Sequence, residues 1–176
     1  MFLALDASST EVGWASGAAG VHPAHGSKGL PNTRGDDGRL FYIYAAWLNE
    51  MLTNINPKRV AVEQSIMVPG RDDYDTMFKL AGMVVTTLLI CCNRGITCDR
   101  VPIRTWRKAV LGQFYPTDGG RDAFKQAAIA VCRAHGWNPR NDNEADALCI
   151  LHYIQSQHNP RYAAAKAVAQ MERPRA

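Results

Sequence analysis

Two acidic residues each follow a short apolar run, which is a setting in which carboxylates can do chemistry. Residues 2–5 form a continuous apolar run typical of a strand buried on both faces, and Asp6 follows it directly. Residues 60–62 repeat this pattern before Glu63. An ionised carboxylate at the end of a buried strand needs a cation, a metal or N–H donors, although Asp6 could instead cap the small-residue turn after it. Because ligands gather at the carboxyl ends of strands in open α/β sheets, the repeated pattern favours a shared site.

A third acid lies in the acidic cluster 142–147, at the start of an apolar helical stretch. Helix capping and the helix dipole explain Asp142 or Glu144. They explain Asp146 poorly, because it lies a turn inside the helix among apolar neighbours and so needs a partner. Three such acids can converge on Mg²⁺, which prefers carboxylate oxygens and retained waters. Two such ions about 4 Å apart clamp the attacking and leaving oxygens of a phosphodiester.

Length and composition indicate one ordinary globular domain. The 176 residues are 47% hydrophobic and 20% charged, and the net charge of +4 with a pI near 8.9 permits binding to nucleic acid without demonstrating it. Five cysteines without a C-x-x-C pair, and no evident secretory signal, favour reduced thiols, no zinc site and a cytoplasmic location. The apolar segment 80–92 is expected to be too short for a membrane span, so no membrane partner is predicted.

Hydrophobic periodicity predicts five strands and five helices. The long apolar helix is expected to be buried on one side and to form a subunit contact on the other. We expect a single domain over residues 1–160 and a partly helical or frayed tail over 161–176. The predicted strands are 2–5, 12–17, 25–30, 59–63 and 96–103, and the predicted helices are 40–52, 75–93, 104–111, 121–135 and 142–154.

Three segments resemble the motifs of RuvC-type Holliday-junction resolvases, which belong to the RNase H-like nuclease superfamily. They are LALDASSTEVG at 3–13, VAVEQ at 60–64 and EADAL at 144–148. The resemblance extends to about residue 158 and includes KLAG at 79–82, the strand–helix unit at 101–106 and the helix after Gly120. Short length and compact loops suggest a phage or prophage version, which implies the cytoplasm of a bacterium or of an infected cell.

The resemblance implies an α/β fold, RNase H-like, with a five-stranded mixed sheet flanked by helices on both faces and its first three strands antiparallel. It implies that Asp6, Glu63 and Asp146 bind Mg²⁺ or Mn²⁺, two ions per site. The implied activity is phosphodiester hydrolysis that leaves 5′-phosphate and 3′-hydroxyl ends, with Lys125 stabilising charge on the phosphate. The implied assembly is a homodimer, formed through the helix at 75–93, that cuts two symmetrical strands of a four-way DNA junction.

The sequence departs from the family pattern at two places. The family usually has Asp or His three residues before the last acid, where this chain has Asn143, whose neutral carbonyl oxygen is a weaker ligand. Asp142 shares a helix face with Asp146 and could substitute as a ligand, or could only cap the helix. The loop after Glu63 carries Ile66 and Met67 in place of a base-stacking aromatic residue, and an apolar wedge can still unstack a base step.

Several basic residues could contact phosphates, which would position the protein on DNA without reading its sequence. Each could equally be a solvated surface charge. The densest basic run is residues 104–108, and Trp106 within it is expected in the core. These candidates are Arg71, Lys79, Arg104, Arg107, Lys108 and Arg121.

Two other functions compete with the resolvase interpretation. Actin-like and sugar-kinase folds share the opening strand, acid and turn, but they need two such domains and a Gly-rich adenosine motif. An RNase H-like module that binds nucleic acid without cutting it, or that cuts it with broad specificity, is the other alternative. Metal-dependent cleavage of a branched substrate distinguishes the three.

Overall fold

A five-stranded mixed sheet forms the centre of the molecule. The computed structural model describes residues 1–64, 73–118 and 120–158. The strands are β1 Phe2–Ala7, β2 Glu11–Gly17, β3 Ala24–Gly29, β4 Arg59–Gln64 and β5 Thr97–Pro102. Their order in the sheet is β3-β2-β1-β4-β5.

The sheet register places two of the predicted acids side by side. β1 pairs antiparallel with β2, and β2 with β3, whereas β1 and β4 pair parallel, as do β4 and β5. Leu5 is the partner of Val62 in the parallel pair, so Asp6 and Glu63 come next on neighbouring strands. The expected mixed sheet with three antiparallel strands is confirmed.

Helices cover both faces of the sheet, as predicted. The helices are α1 Asp37–Ile55, α2 Tyr74–Asn93, α3 Ile103–Val110, α4 Arg121–Ala134 and α5 Asp142–His158, with a 3₁₀ turn at Gly112–Phe114. On one face, the larger side chains of β1 and β4, such as Leu3 and Val62, pack with α1 and α2. On the other face, the small Ala4 and Ala61 pack with α3, α4 and α5. Because alternate strand residues face opposite ways, one short strand serves both layers.

The observed element ends differ from the predicted ones by up to four residues, for local reasons. Helix α1 begins early because the Asp36 side chain accepts a hydrogen bond from the Arg39 backbone N–H. It ends at Ile55, because the next residue, Asn56, adopts a left-handed conformation with φ of 47°. Gly136, with φ of 75°, follows the end of α4 as expected.

Helix α2 is longer than its apolar segment suggested. It has 20 residues and a mean hydropathy of 1.5 over 18 of them, so by length and composition alone it is long enough to cross a membrane. The prediction that this apolar stretch is too short for a span was therefore wrong about length. The helix packs on the sheet side through Met83, Val84, Thr87 and Cys91, and 28% of the apolar window is buried.

The predicted tail at 161–176 lies outside the described residues, as does the loop 65–72 after β4. The proposed division into a domain of residues 1–160 and a tail stays a prediction.

Candidate active site

Helix α5 carries the third acid to the two strand ends. Its residues from Glu144 to Leu151 are all buried, which fixes the helix against the sheet. The contact with β2 is close: a Cβ at Gly13 would lie 2.0 Å from the backbone carbonyl oxygen of Asn143. Gly13 is also the strand partner of Asp6. The start of α5 therefore lies beside Asp6, and Asp146 follows one turn later.

Asp6, Glu63 and Asp146 influence one another electrostatically. Burial raises the pKa of Asp6 well above its usual range, and negative charge on Glu63, Asp146 and Asp142 raises it further. Burial, together with the charge on Asp146, raises the pKa of Glu63 to about 7. Burial is also the main cause that raises the pKa of Asp146 to about 6. The structure thus brings the three predicted acids into one site where bare negative charge is disfavoured.

Glu63 is held in place by the indole of Trp106. The Trp106 Nε1–H donates to Glu63 Oε2 at 2.8 Å, and this hydrogen bond counteracts part of the pKa increase at Glu63. Trp106 is fully buried in α3, so its predicted position in the core is confirmed. Trp106 therefore both packs in the core and orients the carboxylate of Glu63.

Arg107 lies inside the acidic site rather than on an open surface. Its Nη2 is 3.4 Å from Asp146 Oδ2, and its positive charge lowers the pKa values of all three acids. The guanidinium carbon lies 4.9 Å from the Phe124 ring centroid and 5.3 Å from that of Trp106. Among the described residues, Asp146 Oδ1 and Arg107 Nε are buried without a hydrogen-bond partner.

A second ion pair lies at the rim. Lys125 Nζ is 2.7 Å from Asp142 Oδ2, and this hydrogen bond lowers the pKa of Asp142. Asn141, not Asp142, caps α5, because its Oδ1 accepts a hydrogen bond from the Glu144 backbone N–H at 2.9 Å. Capping therefore does not explain Asp142, whose partner is a basic side chain at the predicted site.

Asn143 makes a contact that the sequence did not indicate. Its Nδ2 donates to Glu11 Oε2 at 2.8 Å, and Asn141 Nδ2 donates to Glu11 Oε1 at 3.0 Å. Sequence reasoning missed Glu11, which begins β2 at 132 positions from Asn143. The one signal in the sequence was the departure from the family pattern at Asn143, because an amide, unlike a carboxylate, can donate a hydrogen bond to an acid.

A buried acid next to this contact anchors the helix start. Glu144 is fully buried and accepts hydrogen bonds from the Arg140 backbone N–H at 3.1 Å and from its Nε–H at 2.8 Å. His25 Nδ1 lies 2.9 Å from Glu144 Oε2, which ties β3 to α5. Burial acts to raise the pKa of Glu144, but these hydrogen bonds outweigh it and lower the pKa.

The predicted phosphate-contacting residues fall into two groups. Arg104, Lys108 and Arg121 are exposed on α3 and at the start of α4, and the positive charge of Arg121 lowers the pKa of Glu63. Lys79 is instead engaged by two acids, Asp75 on its own helix and Asp37 on α1 at 3.8 Å. The predictions for Ile66, Met67 and Arg71 fall on residues outside the described ones.

The donor set fits a divalent cation. Within the described ranges, no group of three or more His, Cys, Asp or Glu side chains is already arranged around one metal position. However, three carboxylates with raised pKa values and one buried, unpartnered oxygen on Asp146 form an electrostatic environment that a cation would stabilise.

The fold is the RNase H-like fold of the RuvC resolvases. The structure is similar to Thermus thermophilus RuvC in complex with a Holliday junction substrate, with a TM-score of 0.66 and 15% identity, over 89% of this chain and 95% of that one. It is also similar to another Thermus thermophilus RuvC structure, with a TM-score of 0.61 and 16% identity, over 85% of this chain and 89% of that one. No family model and no curated protein matches the sequence.

Proposed function

We propose that the protein is a divalent-metal-dependent endonuclease that cuts branched DNA, with four-way junctions as its substrate. The observation that carries the proposal is the meeting of Asp6, Glu63 and Asp146 at the ends of β1 and β4 and near the start of α5, all with raised pKa values. The RuvC-like fold supports the same interpretation, since RuvC structures are its neighbours and one of them holds a Holliday junction.

The three acids would hold the metal, Mg²⁺ or Mn²⁺, with Asn143 or Asp142 completing the set. When bound, divalent ions activate water and stabilise the negative charge that develops on a phosphodiester. Trp106 fixes one carboxylate oxygen of Glu63 by its 2.8 Å hydrogen bond. That contact preserves the orientation of the acid before metal and substrate arrive.

Basic groups around the acids would receive the phosphate. Arg107 lies against Asp146, where its guanidinium can exchange the contact with the carboxylate for a contact with an arriving phosphate. Lys125 stands 2.7 Å from Asp142 at the edge of the same site and could do the same. The exposed Arg104, Lys108 and Arg121 extend positive charge away from the site, which suits backbone contacts along a DNA arm.

We propose a homodimer that pairs through α2. Phe78, Val85 and Leu89 are between 48% and 60% exposed, and their spacing of seven and four residues puts them on one helix face. A two-fold partner on this face would give two acid sites for the two symmetrical strands of a junction.

The experiment is cleavage of a labelled four-way junction in Mg²⁺ or Mn²⁺ by the wild type and by Asp6→Asn, Glu63→Gln and Asp146→Asn. Each substitution removes a charged ligand but keeps the side-chain shape. We expect cleavage to fall by at least about a hundredfold in each, with junction binding retained. Retained cleavage in any of them, with unchanged metal dependence, would reject this acid site.

One observation favours a second function, that of a junction-binding module without cleavage. Arg107 already supplies a positive charge to the acids, and Asn143 replaces a possible acidic ligand. Junction binding without cleavage in either metal, by a protein with wild-type folding, would support this second function over the first.

A further inference from the structure

The contact between Glu11 and Asn143 determines which end of the Asn143 amide is free. An ionised carboxylate only accepts hydrogen bonds, so Glu11 must face the NH₂ group of Asn143 and not its carbonyl oxygen. The carbonyl oxygen therefore lies on the other branch of the amide plane. This oxygen is the only atom through which an Asn side chain binds a hard cation such as Mg²⁺.

The backbone around Asn143 lies beside the acid site. The backbone carbonyl oxygen of Asn143 is packed against Gly13, the strand partner of Asp6. Asn143 also lies three residues before Asp146, on the same helix face. Asn141 donates to the other oxygen of Glu11 and also lies 3.3 Å from the Ser27 hydroxyl. Glu11 is thus held at both oxygens and cannot turn away without losing a hydrogen bond.

We propose that Glu11 is a positioning residue that holds Asn143 with its carbonyl oxygen directed to the metal-binding acids. The inference rests on the proposed function, because it concerns the same metal site. Glu11 and Asn143 then act as a matched pair: the acid stands on β2 and the neutral ligand on α5. An acid at position 143 would place two carboxylates at the present 2.8 Å hydrogen-bond distance.

Moving the negative charge from position 11 to position 143 distinguishes a positioning role from a purely structural contact. In Glu11→Gln, the new amide can donate to the Asn143 carbonyl oxygen, so the Asn143 side chain can flip and still be hydrogen-bonded. We expect the melting temperature in chelator to change little, and Mn²⁺ affinity, measured by calorimetry without DNA, to fall about tenfold. In Asn143→Asp, repulsion with Glu11 should lower the melting temperature in chelator.

The double variant Glu11→Gln with Asn143→Asp should restore the match. The amide introduced at position 11 can donate to one oxygen of the new carboxylate, which leaves the other oxygen for the metal. We expect the melting temperature of the double variant to recover and its Mn²⁺ affinity to be at least that of the wild type. Ser27→Ala is the control, because it alters the same cluster but leaves the Glu11–Asn143 contact intact, and it should bind Mn²⁺ like the wild type.

The outcomes separate this inference from the proposed function. If the wild type binds Mn²⁺ and Asp146→Asn does not, while Glu11→Gln stays within about twofold of the wild type, the positioning role is rejected and the metal site stands. A loss of affinity in Ser27→Ala equal to that in Glu11→Gln would also reject it, because general loosening would then be the cause. If the wild type binds no Mn²⁺, the metal site itself fails and this inference fails with it.

Discussion

The carboxylates of Asp6, Glu63 and Asp146 are held where their charge is only partly compensated. Arg107 offsets some of the repulsion, yet the pKa values of Glu63 and Asp146 remain at about 7 and about 6. A group that binds its proton more tightly in the folded state than in the unfolded state weakens folding as that proton is lost. The metal-free protein should therefore be sensitive to pH in a way that metal ions remove.

The first prediction concerns stability against pH. In chelator, these acids should make the free energy of unfolding decrease as pH rises from about 4, the usual carboxyl range, through the raised values of about 6 and about 7. Melting temperatures at pH 5 and pH 8 should show a larger decrease for the wild type than for Asp146→Asn, whose amide cannot ionise. Mg²⁺ should raise the wild-type melting temperature more at pH 8 than at pH 5. Equal pH dependence in both proteins would contradict this account.

The second prediction concerns Arg107. Arg107→Gln removes the charge that lowers the pKa values of the three acids, so the rise of cleavage with pH should move to higher pH. Cleavage at its best pH should also fall about a hundredfold, because a charge facing the phosphate is lost. The matched control is Arg104→Gln on the same helix, which is exposed and should leave the pH profile unchanged. A profile that moves equally in both variants would count against Arg107.

At the scale of elements, the site depends on how closely α5 approaches β2. Ala4, Ala15 and Ala61 give this face of the sheet small side chains, and Gly13 has no Cβ where the Asn143 carbonyl oxygen lies. Large side chains there would push α5 away and carry Asp146 out of reach of the strand ends. The small residues therefore belong to the site as much as the acids do.

The third prediction follows from this contact. Gly13→Ala should destabilise the protein by about 1–3 kcal/mol, because the new Cβ would lie 2.0 Å from a backbone oxygen that cannot rotate away. Cleavage should fall even where the variant remains folded. Gly29→Ala on β3 is the control, since a Cβ there meets nothing within 4 Å. Chemical denaturation of both variants measures the difference, and equal stability would show that α5 adjusts freely.

The elements were predictable because their signals are local, whereas the contacts within the site are not. Apolar runs before Asp6 and Glu63 revealed two strands, and their parallel pairing follows from the fold class. Asp146 stood out as an acid in an apolar helix. The position of Arg107 against Asp146, 39 residues away, depends on the packing of α3 against α5, and no spacing in the sequence encodes it. The Glu11–Asn143 pair was hidden for the same reason.

At the scale of the whole molecule, α2 presents an apolar face that the rest of the described chain leaves exposed. Leu89 is 60% exposed and Val85 is 52% exposed. An exposed apolar face of this kind suits a second copy of the chain.

The fourth prediction tests this face. Leu89→Lys should convert a dimer to a monomer, because a charge in the middle of an apolar contact is not compensated. Sedimentation velocity measures the change, and the acid site should still bind Mn²⁺ in the monomer. Gln126→Lys on α4, exposed on the opposite layer, should keep the wild-type mass. A wild type that is already monomeric at high concentration would contradict the proposed dimer.

The similarity to RuvC at 15% identity shows how much sequence the fold can lose while its layout persists. The departure at Asn143 belongs to the site and not to the fold. Activity therefore has to be tested on the site itself.

The most direct measurement is to map the cuts that the wild-type protein makes in a synthetic four-way junction, with each strand labelled in turn and with Mg²⁺ present. A linear duplex made from one pair of arms serves as the control substrate. We expect paired nicks at symmetrical positions on two strands of the junction, 5′-phosphate ends and no comparable cutting of the duplex. Equal cutting of the duplex, or an intact junction under conditions in which the protein binds it, would contradict the proposed structure-selective nuclease.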